Sequence, residues 1–228
     1  MKSYMPAVVK ILKDIKANSI LDAPCGDGWL KTMMNNEANF DGVDLFASTA
    51  KGYNKLIKYD LDKGLPKELG KYDAIVSCEG LEHFGNPLLF LEDCKSHLKE
   101  NGTLIITTPN IWYPASKLKY LTRGFFPSFP SIGEKVKRGT HMHITPWCFP
   151  WLYLYFRLAG FDKIKLFDLD EPKPKHLYER IIGLPQKLYC KQKLKNSETL
   201  EEKNYWIQTG SDQSLYGRRL VVTGVRVS

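Results

Sequence analysis

The sequence predicts a doubly wound α/β fold, a mostly parallel sheet of seven strands covered by helices on both faces. Short apolar runs rich in Ile, Val and Leu alternate with helical patterns, the mark of parallel strands joined by crossover helices. The first of these runs passes straight into a glycine-bearing turn, Ile-Leu-Asp-Ala-Pro-Cys-Gly-Asp-Gly at 20–28, as at the carboxyl end of a ligand-binding strand. A chain of 228 residues, 43% hydrophobic and 25% charged, is long enough to bury a sizeable core as one domain spanning 1–228.

The elements follow in order. A helix is expected at 6–15 and a first strand at 19–23. Gly26 and Gly28 then let backbone amides approach a ligand, because neither carries a side chain. A phosphate-binding dinucleotide turn would place a third glycine at position 31, where this chain has Lys31 inside the next helix (29–35). The turn therefore suits a nucleoside better than a pyrophosphate, which disfavours a nicotinamide oxidoreductase. Strands are expected at 40–44, 56–59 and 72–78, then a helix at 87–99 closed by Asn101-Gly102 and a strand at 103–108. Thr145-Pro146 suits the start of a helix at 146–159, and Gly160 its end. Strands at 163–168 and 219–227 complete the sheet. Two connections exceed what this architecture needs, and both are expected as lid insertions. One, near 109–143, carries Trp112, Tyr113, Tyr120, Phe125, Phe126 and Phe129; the other, near 169–217, holds an amphipathic stretch at 176–194 and a polar one at 195–204.

Candidate binding residues sit at the strand ends. Asp44 closes the second strand, about 20 residues beyond the first, where a carboxylate can accept hydrogen bonds from both ribose hydroxyls. Leu45 can pack on an adenine face. Asp60-Leu61 follows the third strand, and Asp60 fits either an adenine contact or an ordinary turn. Cys25 has no neighbouring base to lower its pKa, so it is read as filling space. After the fourth strand come Glu79-Gly80-Leu81-Glu82-His83. In a helical turn Glu79, Glu82 and His83 would share a face and offer a partial shell to Mg²⁺, Mn²⁺, Fe²⁺ or Zn²⁺. The alternative is acids favoured by a helix amino terminus beside a packed histidine.

Leu21, Asp22, Cys25, Gly26 and Gly28 resemble motif I of the class I S-adenosylmethionine-dependent methyltransferases, with Pro24 where that family usually has its first glycine. The resemblance implies a Rossmann-like sheet and an S-adenosyl-L-methionine site built from Asp22, Ala23, Pro24, Cys25, Gly26, Gly28, Asp44, Leu45, Asp60, Leu61, Cys78 and Glu79. The run Glu79-x-x-Glu82-His83 is similar to the O-methyltransferases of ubiquinone synthesis and to the small-RNA 2′-O-methyltransferases. That likeness implies a divalent metal on Glu79, Glu82 and His83. Both families also place a histidine after the fifth-strand loop, and the chain offers His141 and His143. One could complete the metal shell while the other acts as base, giving Glu79, His83, His141 and His143 catalytic roles; either could instead be a loop residue. The insertion after 169 is unlike either family.

The formal charge is +8, from 33 Lys and Arg against 25 Asp and Glu, so an anionic partner is expected. The favoured acceptor is a hydroxyl or phosphate oxygen of a sugar or glycan precursor, met by Lys117, Lys119, Arg123, Lys135, Lys137 and Arg138. A prenylated phenol with peripheral membrane contact at 176–194 is the alternative. RNA is disfavoured because the bases form no dense stripe, and a non-catalytic ligand-binding domain is disfavoured by the joint presence of Asp44, Glu79, Glu82 and His83. Five cysteines without a Cys-x-x-Cys pair suggest neither a disulfide framework nor a zinc ribbon. With no signal-like apolar stretch, a cytoplasmic location is expected.

Overall fold

The computed structural model describes residues 2–35, 37–46, 52–129 and 142–227. Its strands are β1 (Ser19–Asp22), β2 (Asn39–Asp44), β3 (Lys55–Lys58), β4 (Tyr72–Cys78), β5 (Leu98–Pro109), β6 (Asp162–Leu166) and β7 (Arg219–Val225). They form one sheet in the order β3-β2-β1-β4-β5-β7-β6. Only β7 runs against its neighbours. Helices α1 (Tyr4–Asp14), α2 (Trp29–Met33), α3 (Pro87–His97), α4 (Pro114–Arg123), α5 (Phe149–Leu158), α6 (Leu177–Lys195), α7 (Leu200–Thr209) and α8 (Asp212–Tyr216) flank it. This is the expected mixed, mostly parallel α/β architecture.

Period-two alternation along the strands divides the apolar residues between two cores. Leu21, Ile75, Leu104, Ile106 and Val222 join one cluster, with Phe90 of α3 and Phe149 and Phe156 of α5. Ile20, Ala74, Val76, Ile105 and Val221 point the other way, under Val8, Ile11 and Leu12 of α1 and Leu30 of α2. Strand β1 pairs with both β2 and β4, so the winding reverses at its side. A crevice opens there beyond the strand ends, the usual ligand position in such sheets.

Two of the boundaries that differ from the expectation have a clear physical reason. Helix α3 stops at His97 because Leu98 is already extended (φ −83°, ψ 147°). Asn101-Gly102 is therefore no helix cap. It lies in a bulge of β5 between Leu98, paired with Tyr72, and Thr103, paired with Ala74. The Asn101 amide donates to the Arg226 carbonyl and the Arg226 amide to that of Gly102, both at 2.9 Å. Helix α5 begins at Phe149, not at 146, because the Thr145 hydroxyl donates to the Phe84 carbonyl (2.8 Å) instead of capping. Gly160 (φ +80°) does terminate α5. The polar stretch 195–204 is mostly helical: the Thr199 hydroxyl accepts from the Glu202 amide and starts α7.

The two long connections contain α4 and α6–α8. Helix α6 buries Glu179, Gly183 and Cys190 and leaves Leu177, Ile181, Leu184 and Leu188 exposed. Among the described residues, no helix is long and apolar enough to cross a membrane. Cys25, Cys78, Cys94, Cys148 and Cys190 are all free and buried.

Candidate active site

The turn after β1 is tied to the strands on either side. The Ala23 amide donates to the Val76 carbonyl (2.9 Å) and the Cys25 amide to that of Val43 (3.1 Å). Gly26 (φ +53°) and Gly28 (φ +81°) adopt left-handed backbone that side-chain-bearing residues rarely hold. A Cβ on Gly26 would meet nothing within 4 Å, so open space lies over this backbone. Asp44 accepts the Gly26 amide at Oδ2 (3.0 Å) and the Phe46 amide at Oδ1 (2.7 Å). That fixes its carboxylate beside the turn with lone pairs remaining on both oxygens. Leu45, next in chain, is half-buried.

Asp22 is buried and accepts a hydrogen bond from the Tyr53 hydroxyl at 2.6 Å. Burial, with Asp44 and Asp27 adding negative charge, pushes its carboxyl up to about 7 against the pull of Tyr53. Burial, then Asp22 and Asp44, raises the Cys25 thiol to about 12, as expected of a space-filling cysteine. Asp60 takes up its turn role: Oδ1 accepts from the Asp62 amide (3.1 Å) and caps the 3₁₀ turn Leu61–Lys63, in which Leu61 is buried. Cys78 is buried at the end of β4, its thiol pushed well up by desolvation.

Beyond β4 the chain makes a tight corner. Glu79 sits at φ +51°, held by its amide donating to the Thr107 carbonyl (2.9 Å) and hydroxyl (3.1 Å). Such conformations are costly for residues other than glycine and gather at functional sites. The expected helical turn is a single 3₁₀ turn, Leu81–His83, and Glu79 precedes it. Consequently Glu79 does not share a face with Glu82 and His83: its Oε2 lies 3.6 Å from both Lys2 Nζ and Arg219 Nε.

Segment 142–147 brings a second imidazole to this turn in place of Glu79. The Glu82 carbonyl accepts the amides of Ile144 (2.9 Å) and Thr145 (3.1 Å), and His83 Nδ1 meets the Met142 carbonyl at 2.8 Å. These contacts place His143 against His83, with ring centroids 4.9 Å apart. One ligand atom from each of Glu82, His83 and His143 lies within 4.8 Å of the others. Glu82 is 2% exposed; Oε2 accepts from the Thr108 hydroxyl (3.0 Å), and Oε1 is buried with no hydrogen-bond partner among the described residues. Burial and then the Glu79 charge raise the Glu82 carboxyl to about 8. Burial and then His83 lower His143 to about 4, so it is neutral near pH 7. An orphaned buried carboxylate oxygen beside two imidazoles, one oriented by a carbonyl, is a donor set that fits a divalent cation. His141, Lys135, Lys137 and Arg138 lie outside the described residues.

Glu79, Glu82 and His143 open onto a cavity of about 290 Å³. Tyr113, Ser116, Phe129, Trp147, Arg218 and Arg219 also line it. Of these, Ser116, Trp147, Arg218 and Arg219 were not singled out by sequence reasoning, and neither was Tyr53 beside Asp22. The one signal available was the pair Arg218-Arg219 where the last strand begins.

A family model described as a methyltransferase domain matches residues 2–171. The mitochondrial ubiquinone biosynthesis O-methyltransferase of Rattus norvegicus is 30% identical over 143 residues, 57% of this chain and 40% of the relative. The ubiquinone biosynthesis O-methyltransferase of Histophilus somni is 29% identical over 137 residues, 54% of this chain and 55% of that one. The matched regions thus span about half of these relatives' length. A SAM-dependent methyltransferase from Archaeoglobus fulgidus superposes with a TM-score of 0.55 at 17% identity, covering 97% of this chain and 94% of its own. The plantazolicin methyltransferase BpumL, solved with SAH, gives 0.56 at 16% identity, covering 99% and 83%. Sheet order, glycine turn and family match agree: the chain belongs to the methyltransferase-domain family.

Proposed function

We propose that the protein transfers the methyl group of S-adenosyl-L-methionine to a hydroxyl oxygen of a small ring-bearing acceptor, with a divalent cation held by Glu82, His83 and His143. The convergence of these three side chains, with Glu82 and His143 lining the cavity, carries the reading. The acceptor oxygen forms a bond to the methyl carbon as the carbon–sulfur bond breaks, and the hydroxyl proton must leave. A cation bound there would lower the hydroxyl pKa. The chain's own residues do the rest. Asp44 holds the ribose, the Gly26–Gly28 backbone seats the nucleoside, and the cavity walls exclude water from the reacting oxygen. With His143 among the ligands, His141 is the group whose replacement tests proton removal.

Phenols take first place as acceptors, supported by the O-methyltransferase relatives of ubiquinone biosynthesis. The exposed Leu177-Ile181-Leu184-Leu188 stripe supports a lipid-borne one. A sugar hydroxyl is the second reading, supported by Phe129 and Tyr113 beside the cavity's arginines. The test is methyl transfer to catechols, sugar phosphates, glycan fragments and short RNAs, with and without chelator. Glu82→Ala and His143→Ala should lower turnover by about 100-fold or more while S-adenosylhomocysteine still raises the melting temperature. Near-normal rates in both variants, or indifference to chelator, would overturn the cation's part.

A further inference from the structure

The cavity carries more hydrogen-bond donors than its walls use. Arg218 sits just before β7, and its guanidinium stacks on Tyr113, 3.9 Å from the ring centroid. Its Nη2 donates to Glu179 Oε1 at 2.5 Å, and Glu179, 0% exposed, spends Oε2 on the amides of Lys175 (2.9 Å) and His176 (3.3 Å). The Arg218 amide is fixed as well, donating to Glu171 Oε1 at 2.9 Å. The insertion around α6 thereby clamps this arginine from two sides. Yet Arg218 Nη1 is buried and has no hydrogen-bond partner among the described residues. Five other polar atoms on the cavity share that condition: Glu79 Oε1, Glu82 Oε1 and Arg219 Nε, and two further potential donors, Ser116 Oγ in a residue 0% exposed and Trp147 Nε1 in one 1% exposed. Buried donors left unpaired are costly, and they cluster where a ligand completes them.

No acid on the same wall is hydrogen-bonded to Arg218 Nη1, Ser116 Oγ or Trp147 Nε1: Glu79 Oε2 lies 3.6 Å from Lys2 and Arg219, its Oε1 is itself buried without a partner among the described residues, and Glu82 belongs to the imidazole cluster. An arginine pre-stacked on an aromatic ring, with an open amino group on the same cavity as a hydroxyl and an indole N–H, matches the oxygens of a carboxylate or phosphate. At about 290 Å³ the cavity suits one substituted ring.

We infer that Arg218, with Ser116 and Trp147, forms an anion subsite that binds a carboxylate or phosphate carried by the same ring whose hydroxyl is methylated. This rests on the methyl-transfer reading above and narrows its acceptor to a compact anionic one. Glu179 is a positioning residue for Arg218.

The test is calorimetric titration of the full chain saturated with S-adenosylhomocysteine, using matched probes: 3,4-dihydroxybenzoate against catechol, and glucose 1-phosphate against glucose. The anionic member of one pair should bind about tenfold more tightly, or better, than its neutral partner. The pair that shows the preference tells a phenolic carboxylate from a sugar phosphate. Changing Glu179→Gln together with Arg218→Met removes both buried charges at once, so neither is left unpaired. This variant should keep the thermal shift with S-adenosylhomocysteine and lose the preference. Ser116→Ala should weaken the anionic probe alone, and it gives a second reading should the double variant not fold. Equal affinity for both members of each pair in the wild type, no saturable binding of any probe, or a preference surviving in the double variant overturns the subsite. A wild type that does not bind S-adenosylhomocysteine is a separate failure, and it overturns the methyl-transfer reading underneath.

Discussion

A methyl group on Gly80 would stand 2.4 Å from Pro24 Cδ and 2.8 Å from its Cγ. The cofactor turn and the acid-bearing turn touch at this point, so Gly80→Ala should destabilise the protein by about 1–3 kcal/mol through overpacking. Thermal unfolding measures it. Asp22 allows a signed prediction. Its carboxyl moves from the ordinary 3.8 to about 7 in the fold, so between those values the native state holds a proton that the unfolded chain has lost. Stability should fall as pH rises from about 4 to 7, and Asp22→Asn should flatten that slope in melts across the range. Residues adjacent to a strand end, such as Asp22, Gly26 and Asp44, were legible because turn chemistry is local. Tyr53, Ser116 and Arg218 were not, since each reaches its site through contacts that only the assembled sheet creates. Glu79 was misplaced for a related reason: spacing assumed a helical turn that begins two residues later.

Among the elements, α5 and α6 make a contrast. Phe156 of α5 is 0% exposed, and Phe156→Ala should cost about 3–5 kcal/mol. Ile181 of α6 is 73% exposed, and Ile181→Ser should change stability by no more than about 0.5 kcal/mol in denaturant titrations. The pattern made 146–159 readable as a helix and 176–194 as an amphipathic stretch, but it could not say which side of α6 faces inward. The buried side is the polar and small one. Glu179 is drawn in by Arg218, and Gly183 lies where a Cβ would be 2.4 Å from Tyr216. Specific contacts decided that orientation against the hydrophobic pattern. The central parallel strands β1 and β4 were easier, because each is covered on both faces and so reads as a nearly continuous apolar run.

For the whole molecule, S-adenosylhomocysteine at about 100 times its dissociation constant should add about 2.7 kcal/mol of stability, a melting shift of roughly 5–11 °C for a chain of this size. NAD should add none, since Lys31 occupies the place of the third fingerprint glycine and turns its amine to the Ala38 carbonyl at 3.3 Å. Global architecture was the most legible level, being a sum over many consistent segments. The backbone stitching of residues 144 and 145 to the Glu82 carbonyl has a kinetic corollary. The cation proposed for Glu82, His83 and His143 would meet ligand atoms that already lie within 4.8 Å of one another. Stopped-flow mixing with Mn²⁺ should then give a single rapid phase in Trp147 emission, its amplitude abolished by Glu82→Ala.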